Sequence, residues 1–399
     1  MVVGSGGRGD GLDAALSSRA SSPGSLVRIA REYDRKGQLR EAVGAYQAAV
    51  NAADLSGDRR VGADALRRLA VVYCRRQENA TARTLCARSE VLAREAGDDG
   101  LVAEALNTAG GIALLEDRLE EAEARFLDAA AVARDPDLLA RIEQNLATVA
   151  SSRGDVAEAI ERYQRSLAGF EAAGNRHGCA VACHNLGVAN NDLGRWAEAE
   201  RHLRRCLQLI RETGDLHLRG LAAMNHAHAL AGLGRLREAR VAAETATSIF
   251  DELHAPRELA DAYWVLGAVL RRSGELGLAQ LRLRLAIEVA ATSRCVLGEA
   301  EATRELALVM AGQRKDTAAY ELMAKAAAEL DRLKPGGPVP ASVRAWSELV
   351  SVLCPVEAAR AEELVAEALR APRPANATEA DVIASLVCGG GVTAPAPDP

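Results

Sequence analysis

The chain repeats a pattern of small and apolar positions that predicts a series of antiparallel helix pairs. The turn motif KGQLREA at 36–42 recurs as RGDVAEA at 153–159 and as LGRLREA at 233–239, with weaker copies between them. Each copy ends in an alanine, 40 residues from the next except for one step of 37. These alanines are Ala42, Ala82, Ala122, Ala159, Ala199, Ala239, Ala279, Ala319 and Ala359. Apolar residues at helical spacing flank each motif, so every repeat is expected to hold a first helix (helix A), a turn and a second helix (helix B).

Two further columns of small residues stay in phase with these alanines. Twelve positions earlier lie Ala30, Ala70, Gly110, Ala147, Gly187, Ala227, Gly267, Ala307 and Ser347. Seven positions later lie Ala49, Ser89, Ala129, Ser166, Cys206, Ala246, Ala286, Ala326 and Ala366. Antiparallel helices reach the short end of the roughly 8–10 Å interaxial range only where both carry small side chains. The columns therefore predict the points at which helix A and helix B cross.

This arrangement of small residues resembles the tetratricopeptide repeat family over about residues 22–370. The unit of 40 residues is longer than the usual one of about 34. The proline that closes the usual repeat is absent, and its place is taken by LSGDRR, EAGDDG, AGNRHG and TGDLHL. The long form resembles the repeats of kinesin light chains, spindle-orientation adaptors and bacterial regulators. The resemblance implies an all-α fold, a right-handed α-solenoid (superhelix) of about nine repeats.

The composition along the chain predicts where the repeats begin and end. Residues 1–21 are rich in Gly and Ser and are expected to form a disordered tail. The solenoid is expected to span 22–370, with Ser22 as N-cap before Pro23. The segment KPGGPVP at 334–340 reads as a long loop between the last two repeats. Residues 371–388 are expected to hold a linker and a capping helix, and 389–399 a second disordered tail.

Charge and cysteine usage restrict the partners and the compartment. With 55 acidic and 49 basic residues the net charge is −6, so neither nucleic acid nor a membrane surface is an expected partner. The sequence has no apolar run of roughly 18 residues that could span a membrane. Its eight cysteines are scattered rather than arranged as a small disulfide framework, which indicates reduced thiols and a cytoplasmic protein.

The sequence offers little catalytic chemistry, and we expect the chain to be no enzyme. It has no Walker-type glycine loop, no G-x-S-x-G elbow and no H-E-x-x-H motif. Cys179 and Cys183, one helical turn apart beside His184, could be imagined as metal ligands, but no second ligand pair follows at zinc-site spacing. Buried cysteines that only pack are the favoured interpretation, and neither a metal nor another cofactor is expected.

The exposed positions of the A helices predict a groove in which a partner could bind. In a stack of helix pairs these helices line the concave face. Asn145, Asn185 and Asn225 recur at one position in successive repeats, and the resemblance to kinesin light chains and spindle-orientation adaptors implies that such amides hold the backbone of a ligand. The alternative is that each amide bonds only to the adjacent turn or to the next A helix. The predicted groove residues are Arg67, Arg68, Arg141, Gln144, Asn145, His184, Asn185, Asn191, Asn225 and His228.

These features predict a scaffold or adaptor that binds a peptide or protein in this groove. A partner-sensing regulatory module of a bacterial signalling or transcription system is the alternative. Trp264, in the helix A segment DAYWVLG, is either a binding anchor or a packing residue between repeats.

Overall fold

The computed structural model describes residues 22–333, 340–354, 356–371 and 377–388, and these ranges form helices without any strand. The predicted tails at 1–21 and 389–399, and most of the KPGGPVP segment, lie outside the described residues. The described helices are α1 Pro23–Arg35, α2 Leu39–Ser56, α3 Arg59–Arg75, α4 Asn79–Glu95, α5 Asp99–Leu115, α6 Leu119–Val132, α7 Pro136–Ser152, α8 Val156–Ala172, α9 Arg176–Asp192, α10 Trp196–Thr213, α11 Leu216–Gly232, α12 Leu236–Glu252, α13 Pro256–Arg272, α14 Leu276–Thr292, α15 Val296–Gly312, α16 Asp316–Leu333, α17 Ala341–Leu353, α18 Ala358–Arg370 and α19 Glu379–Cys388. The prediction of an all-α fold built from repeated helix pairs is confirmed.

The chain divides into two compact units, residues 1–189 and residues 190–399. In the first unit α1 packs on α2, α3 on α4, α5 on α6 and α7 on α8. In the second unit α11 packs on α12, α13 on α14, α15 on α16 and α17 on α18. Neighbouring A helices also touch, for example α3 and α5 in the first unit and α13 and α15 in the second. Each unit is therefore a row of helix pairs in chain order.

The small-residue columns lie where the paired helices cross. From Ala42 to Ala319 the helix B alanine is the fourth residue of its helix and is fully buried. At the matching crossing in the second unit, a Cβ added to Gly267 would lie only 2.5 Å from Cγ of Leu283. Helix A and helix B therefore approach closely at these columns, as the pattern predicts.

The ninth repeat departs from the predicted phase. Ala359 is exposed, whereas Ala361 is fully buried. Helix α18 begins at Ala358, so its fourth residue is Ala361. The turn before α18 is also different, because Cys354 is extended after the end of α17. The 40-residue step therefore fails beyond the KPGGPVP segment, and the buried alanine moves by two positions.

The elements that replace the closing proline combine a helix stop with a helix start. In LSGDRR, Gly57 has a φ of +70° and ends α2, a conformation that suits glycine at a helix C-terminus. Asp58 then caps α3, because its Oδ1 accepts a hydrogen bond of 3.1 Å from the backbone N–H of Val61. The same pairing of glycine and cap recurs at Gly97–Asp98, Gly174–Asn175 and Gly214–Asp215.

The partly buried carboxyl group of Asp261, in α13, is expected to make the free energy of unfolding depend on pH. Burial raises the pKa of Asp261 from 3.8 to about 6, while Arg257 lowers it and Glu258 raises it. The folded state thus holds this proton more tightly than the unfolded state, so the stabilisation is complete below about pH 4 and is lost as the pH rises to about 6.

We expect Asp261→Asn to stabilise the protein at pH 7 by about 1 kcal/mol, after allowance for partial solvent screening. Urea unfolding between pH 4 and pH 7 measures this effect, and the variant should show a flatter profile than the wild type across that window. Asp251→Asn, at an exposed position in α12, is the matched control. Identical pH profiles for the wild type and Asp261→Asn would contradict the assignment.

Candidate functional site

The arginines predicted to line the groove of the first unit are held in a network of carboxylates. Arg67 donates to Asp64 at 2.9 Å and lies 3.5 Å from Glu104 on the next A helix, while its side chain is only 11% exposed. Arg68 donates to both oxygens of Asp64 at 2.9 Å. Arg141 on α7 donates to Glu104 at 2.8 Å. The network therefore ties α3, α5 and α7 together through ion pairs.

Glu104 also keeps Arg141 charged in a partly buried position. Burial acts to lower the pKa of Arg141, but the hydrogen bond and charge of Glu104, together with the charges of Asp137 and Asp135, outweigh it, and the pKa is raised. One carboxylate thus faces two guanidinium groups, those of Arg67 and Arg141. A ligand that approaches here meets a fixed, largely neutralised surface rather than mobile cations.

Asn145 belongs to the same surface. Its Nδ2 donates to Oδ1 of Asn107 on α5 at 2.9 Å, so this amide bonds to a neighbouring A helix. A cavity of about 290 Å³ opens between α3, α5 and α7, and Arg67, Arg141 and Asn145 all line it. We call it the first-unit cavity. The structure therefore brings three of the predicted groove residues together.

The remaining predicted residues of the first unit lie outside the lining of this cavity. Oε1 of Gln144 is buried and has no hydrogen-bond partner among the described residues, while the backbone carbonyl of Gln144 accepts from Thr148 Oγ1 at 3.0 Å. Nδ1 of His184 lies 3.2 Å from Oδ1 of Asn185. Both α9 residues are partly buried.

In the second unit, Asn191 and Asn225 are joined directly. Asn191 is 5% exposed, and its Nδ2 donates to the backbone carbonyl of Asn225 at 3.0 Å. Asn225 donates in turn to the carbonyl of Leu221, one helical turn earlier, at 3.0 Å. This is the kind of bond between neighbouring helices that the alternative interpretation of the amides describes. His228 on α11 is exposed and lies beside Trp196, with 5.4 Å between the ring centroids.

A larger cavity of about 580 Å³, which we call the second-unit cavity, lies along α11, α13, α15, α17 and α18. His228 and Trp264 line it, together with four arginines and three glutamates. Two ion pairs fix part of this lining. Arg271 donates to Glu305 at 2.5 Å, and the Glu305 side chain is 4% exposed. Arg304 pairs with Glu348 across α15 and α17.

Sequence reasoning identified the groove arginines but missed their carboxylate partners. Asp64 and Glu104 are 40 residues apart and so occupy one column of the repeat, and Arg141 follows after the 37-residue step. Opposite charges at one column on neighbouring A helices, as at Glu104 and Arg141, are a signal for ion pairs between repeats. For the second-unit cavity, the corresponding missed residues are Arg271, Glu305 and Glu348.

The described residues also bear on a metal site and on a membrane span. Within the described ranges there is no group of three or more His, Cys, Asp or Glu side chains arranged to hold a metal ion. Cys179 and Cys183 are buried there. In the same part of the chain, every helix is too short or too polar to cross a membrane.

Comparison with known proteins gives a family match for one segment of the chain. Residues 138–217 match the sequence model of the tetratricopeptide repeat. No curated protein sequence matches the chain. Among solved structures, a STAND protein with a tetratricopeptide repeat sensor from Pyrococcus horikoshii is 13% identical with a TM-score of 0.56, over 84% of this chain and 50% of that one.

Two further solved structures share the fold. A Rap protein complexed with competence and sporulation factor is 13% identical, with a TM-score of 0.55 over 83% of this chain and 97% of that one. Aspartyl phosphate phosphatase F from Bacillus subtilis is 14% identical, with a TM-score of 0.54 over 67% of this chain and 70% of that one. At such identities the similarity establishes the fold alone. The family match therefore identifies residues 138–217 as tetratricopeptide repeats, and the helix pairs with their buried small-residue columns give the other described repeats the same fold.

Proposed function

We propose that the chain is a protein-interaction scaffold that binds a peptide or protein partner along its A helices and catalyses no reaction. The observation that carries this proposal is that each unit has a cavity on its A helices, lined by charged and polar side chains. In the first unit this lining is held by ion pairs, so the surface is organised before a ligand arrives. Preorganisation of this kind reduces the entropic cost of binding.

The amides supply the contacts to a ligand backbone in this proposal. An amide has two donor hydrogens and an acceptor oxygen, so an Asn that bonds to a neighbouring helix keeps further capacity for a ligand. Asn145 uses one of its N–H groups on Asn107. Asn145, Asn185 and Asn225 remain partly exposed on their helices. We therefore retain these three amides, which we call the ladder, as the predicted contacts, and the bond to Asn107 fixes the orientation of Asn145.

The solved structures of similar fold agree with a binding role. The Rap protein was solved as a complex with competence and sporulation factor, and the repeats of the STAND protein are described as a sensor. The second of these favours the alternative function, in which partner binding regulates a signalling protein. The eight free thiols fit the cytoplasmic location that we include in the proposal.

The ladder is tested with peptides selected from a random dodecapeptide display library on the full chain. We expect the triple variant Asn145→Ala, Asn185→Ala and Asn225→Ala to bind the selected peptides roughly tenfold to a thousandfold more weakly. The physical reason is the loss of three hydrogen bonds of about 0.5–1.5 kcal/mol each. Fluorescence anisotropy of labelled peptides measures the affinity, and circular dichroism measures the helix content.

A matched control changes amides outside the A helices. Asn51→Ala, at an exposed position in the B helix α2, and Asn79→Ala, at a partly exposed position at the start of the B helix α4, should leave the affinity unchanged. Unaltered binding by the triple variant, at the same helix content as the wild type, would show that the ladder is structural. Failure to select any peptide or partner would contradict the scaffold function itself.

A further inference from the structure

The second-unit cavity has paired charges in its wall and unpaired charges at its edge. The ion pairs of Arg271 with Glu305 and of Arg304 with Glu348 neutralise four of the charged side chains. Arg304 also donates to Glu301 at 3.0 Å, and its side chain is 16% exposed. These groups are fixed by their partners. They give the wall its shape but leave it little net charge.

Two other arginines of the same cavity, Arg272 at the end of α13 and Arg344 in α17, are exposed. Within the described residues neither forms an ion pair or a side-chain hydrogen bond, so their guanidinium groups keep all their donors for a ligand. Guanidinium groups bind carboxylates bidentately, which gives both affinity and orientation. We call Arg272 and Arg344 the rim arginines.

The wall of the cavity also contains polar atoms without partners. Nε1 of Trp264 and Oγ of Ser351 are buried and form no hydrogen bond with any residue that the structure describes. A buried donor without an acceptor costs roughly 1–3 kcal/mol, and a small side-chain movement towards a ligand oxygen would recover that loss. Val352, which is 41% exposed, adds apolar surface to the same wall. The cavity thus combines cations, unsatisfied donors and an apolar patch.

We infer that the second-unit cavity binds an acidic peptide segment, with an Asp or Glu carboxylate at the rim arginines and a neighbouring apolar side chain against Val352. This inference rests on the proposed scaffold function and adds to it a second binding site and a ligand chemistry. The volume of about 580 Å³ accommodates a few side chains. Trp264 is then a binding residue rather than only a packing residue.

The charges of the lining favour a carboxylate over a polyphosphate. Glu305, Glu348 and Glu362 line the cavity beside its four arginines, so the formal excess is a single positive charge. A phosphodiester chain would place several negative charges near these carboxylates, on a protein of net charge −6. Individual carboxylates spaced by apolar residues fit the two rim arginines without that repulsion.

The test uses the full chain and the peptides selected from the dodecapeptide library. We expect the selected peptides to include a class with Asp or Glu next to an apolar residue. The double variant Arg272→Glu and Arg344→Glu should bind this class roughly 10- to 100-fold more weakly, because it replaces two charge-assisted contacts by repulsion. Replacing Asp and Glu of the peptide by Asn and Gln should weaken binding to the wild type by a similar factor.

A second double variant controls for the change in net charge. Arg237→Glu and Arg284→Glu change two exposed arginines in the B helices α12 and α14, outside the cavity, and should alter the affinity by less than about twofold. Circular dichroism and urea unfolding of both variants confirm that the fold is retained. Equal weakening by the two double variants would overturn the inference, because a general charge effect would then suffice.

The other outcomes separate this inference from the function on which it rests. If the rim variant binds every peptide normally while the ladder variant does not, the cavity inference is wrong and the scaffold function stands. If no peptide is selected, both fail. A single-stranded oligonucleotide that outcompetes the acidic peptides at the rim would assign the cavity to a phosphate ligand. A change in molar mass of the rim variant by light scattering, without a change in peptide binding, would assign it to a second copy of the chain.

Discussion

Gly110→Val and Gly111→Ala, two neighbouring substitutions in α5, are expected to change the stability of the first unit in opposite directions. A Cβ at position 110 would lie 2.6 Å from Cε1 of Phe126, whose ring is fully buried. Overpacking of this kind costs about 1–3 kcal/mol. At position 111 nothing lies within 4 Å of the added Cβ. There the gain is about 0.5–1 kcal/mol, because alanine loses less backbone entropy in a helix than glycine does.

Urea unfolding followed by circular dichroism measures both free energies of unfolding, and hydrogen exchange of α5 and α6 locates the change. Gly110→Val should increase exchange in both helices, because the contact with Phe126 joins them. The two variants control each other, since they lie in the same helix one residue apart. If both raise or both lower the free energy of unfolding, close packing is not what distinguishes the two glycines.

The sequence was sufficient to predict the helix pairs because their packing depends on residue size at fixed spacing. The small-residue columns predict the helix crossings even where the turn motif is weak. Gln77, Asp117 and Arg314 adopt φ values of +62°, +57° and +60°, the conformation that glycine has in the stronger copies. The cost of about 1 kcal/mol for such a residue is tolerated where the flanking helices are well packed. The predicted burial of Ala359 is wrong, because the extended turn after α17 shifts the buried alanine of α18 to Ala361. The composition of the segment gives no sign of this shift.

The site was less predictable, because its chemistry depends on which side chains meet across neighbouring helices. Arg67 and Arg141 could be assigned to a groove from their positions on helix A. Their shared partner Glu104 emerged only once α3, α5 and α7 were placed together. The second-unit cavity was harder still to predict from the sequence. The net charge of its lining depends on ion pairs such as that of Arg271 with Glu305, which are separated by 34 residues. Composition gives the number of charges but not which of them remain unpaired.

Trp346→Ala is expected to cause a large loss of stability in the second unit. The indole is fully buried in α17, and its centroid lies 6.5 Å from that of Tyr320 on α16. Its Nε1 donates to Oε2 of Glu379 at 3.1 Å, which links α17 to α19. Removing a buried tryptophan costs about 3–5 kcal/mol through lost burial and the cavity that remains. Because repeats are stabilised mainly by their neighbours, we expect the loss to appear first in α16, α17 and α19.

Trp346→Phe separates the two contributions, because it retains most of the ring packing and removes the N–H donor. The loss should then be smaller, about 1–2 kcal/mol. Hydrogen exchange resolved by peptide is the decisive measurement, with α5 as the internal reference. Ile383 anchors α19 as its fully buried residue, so α19 should retain partial protection in Trp346→Phe and lose it in Trp346→Ala. If α19 exchanges equally fast in the wild type and in Trp346→Ala, the indole does not hold that helix on the repeats, and its burial stabilises α17 alone.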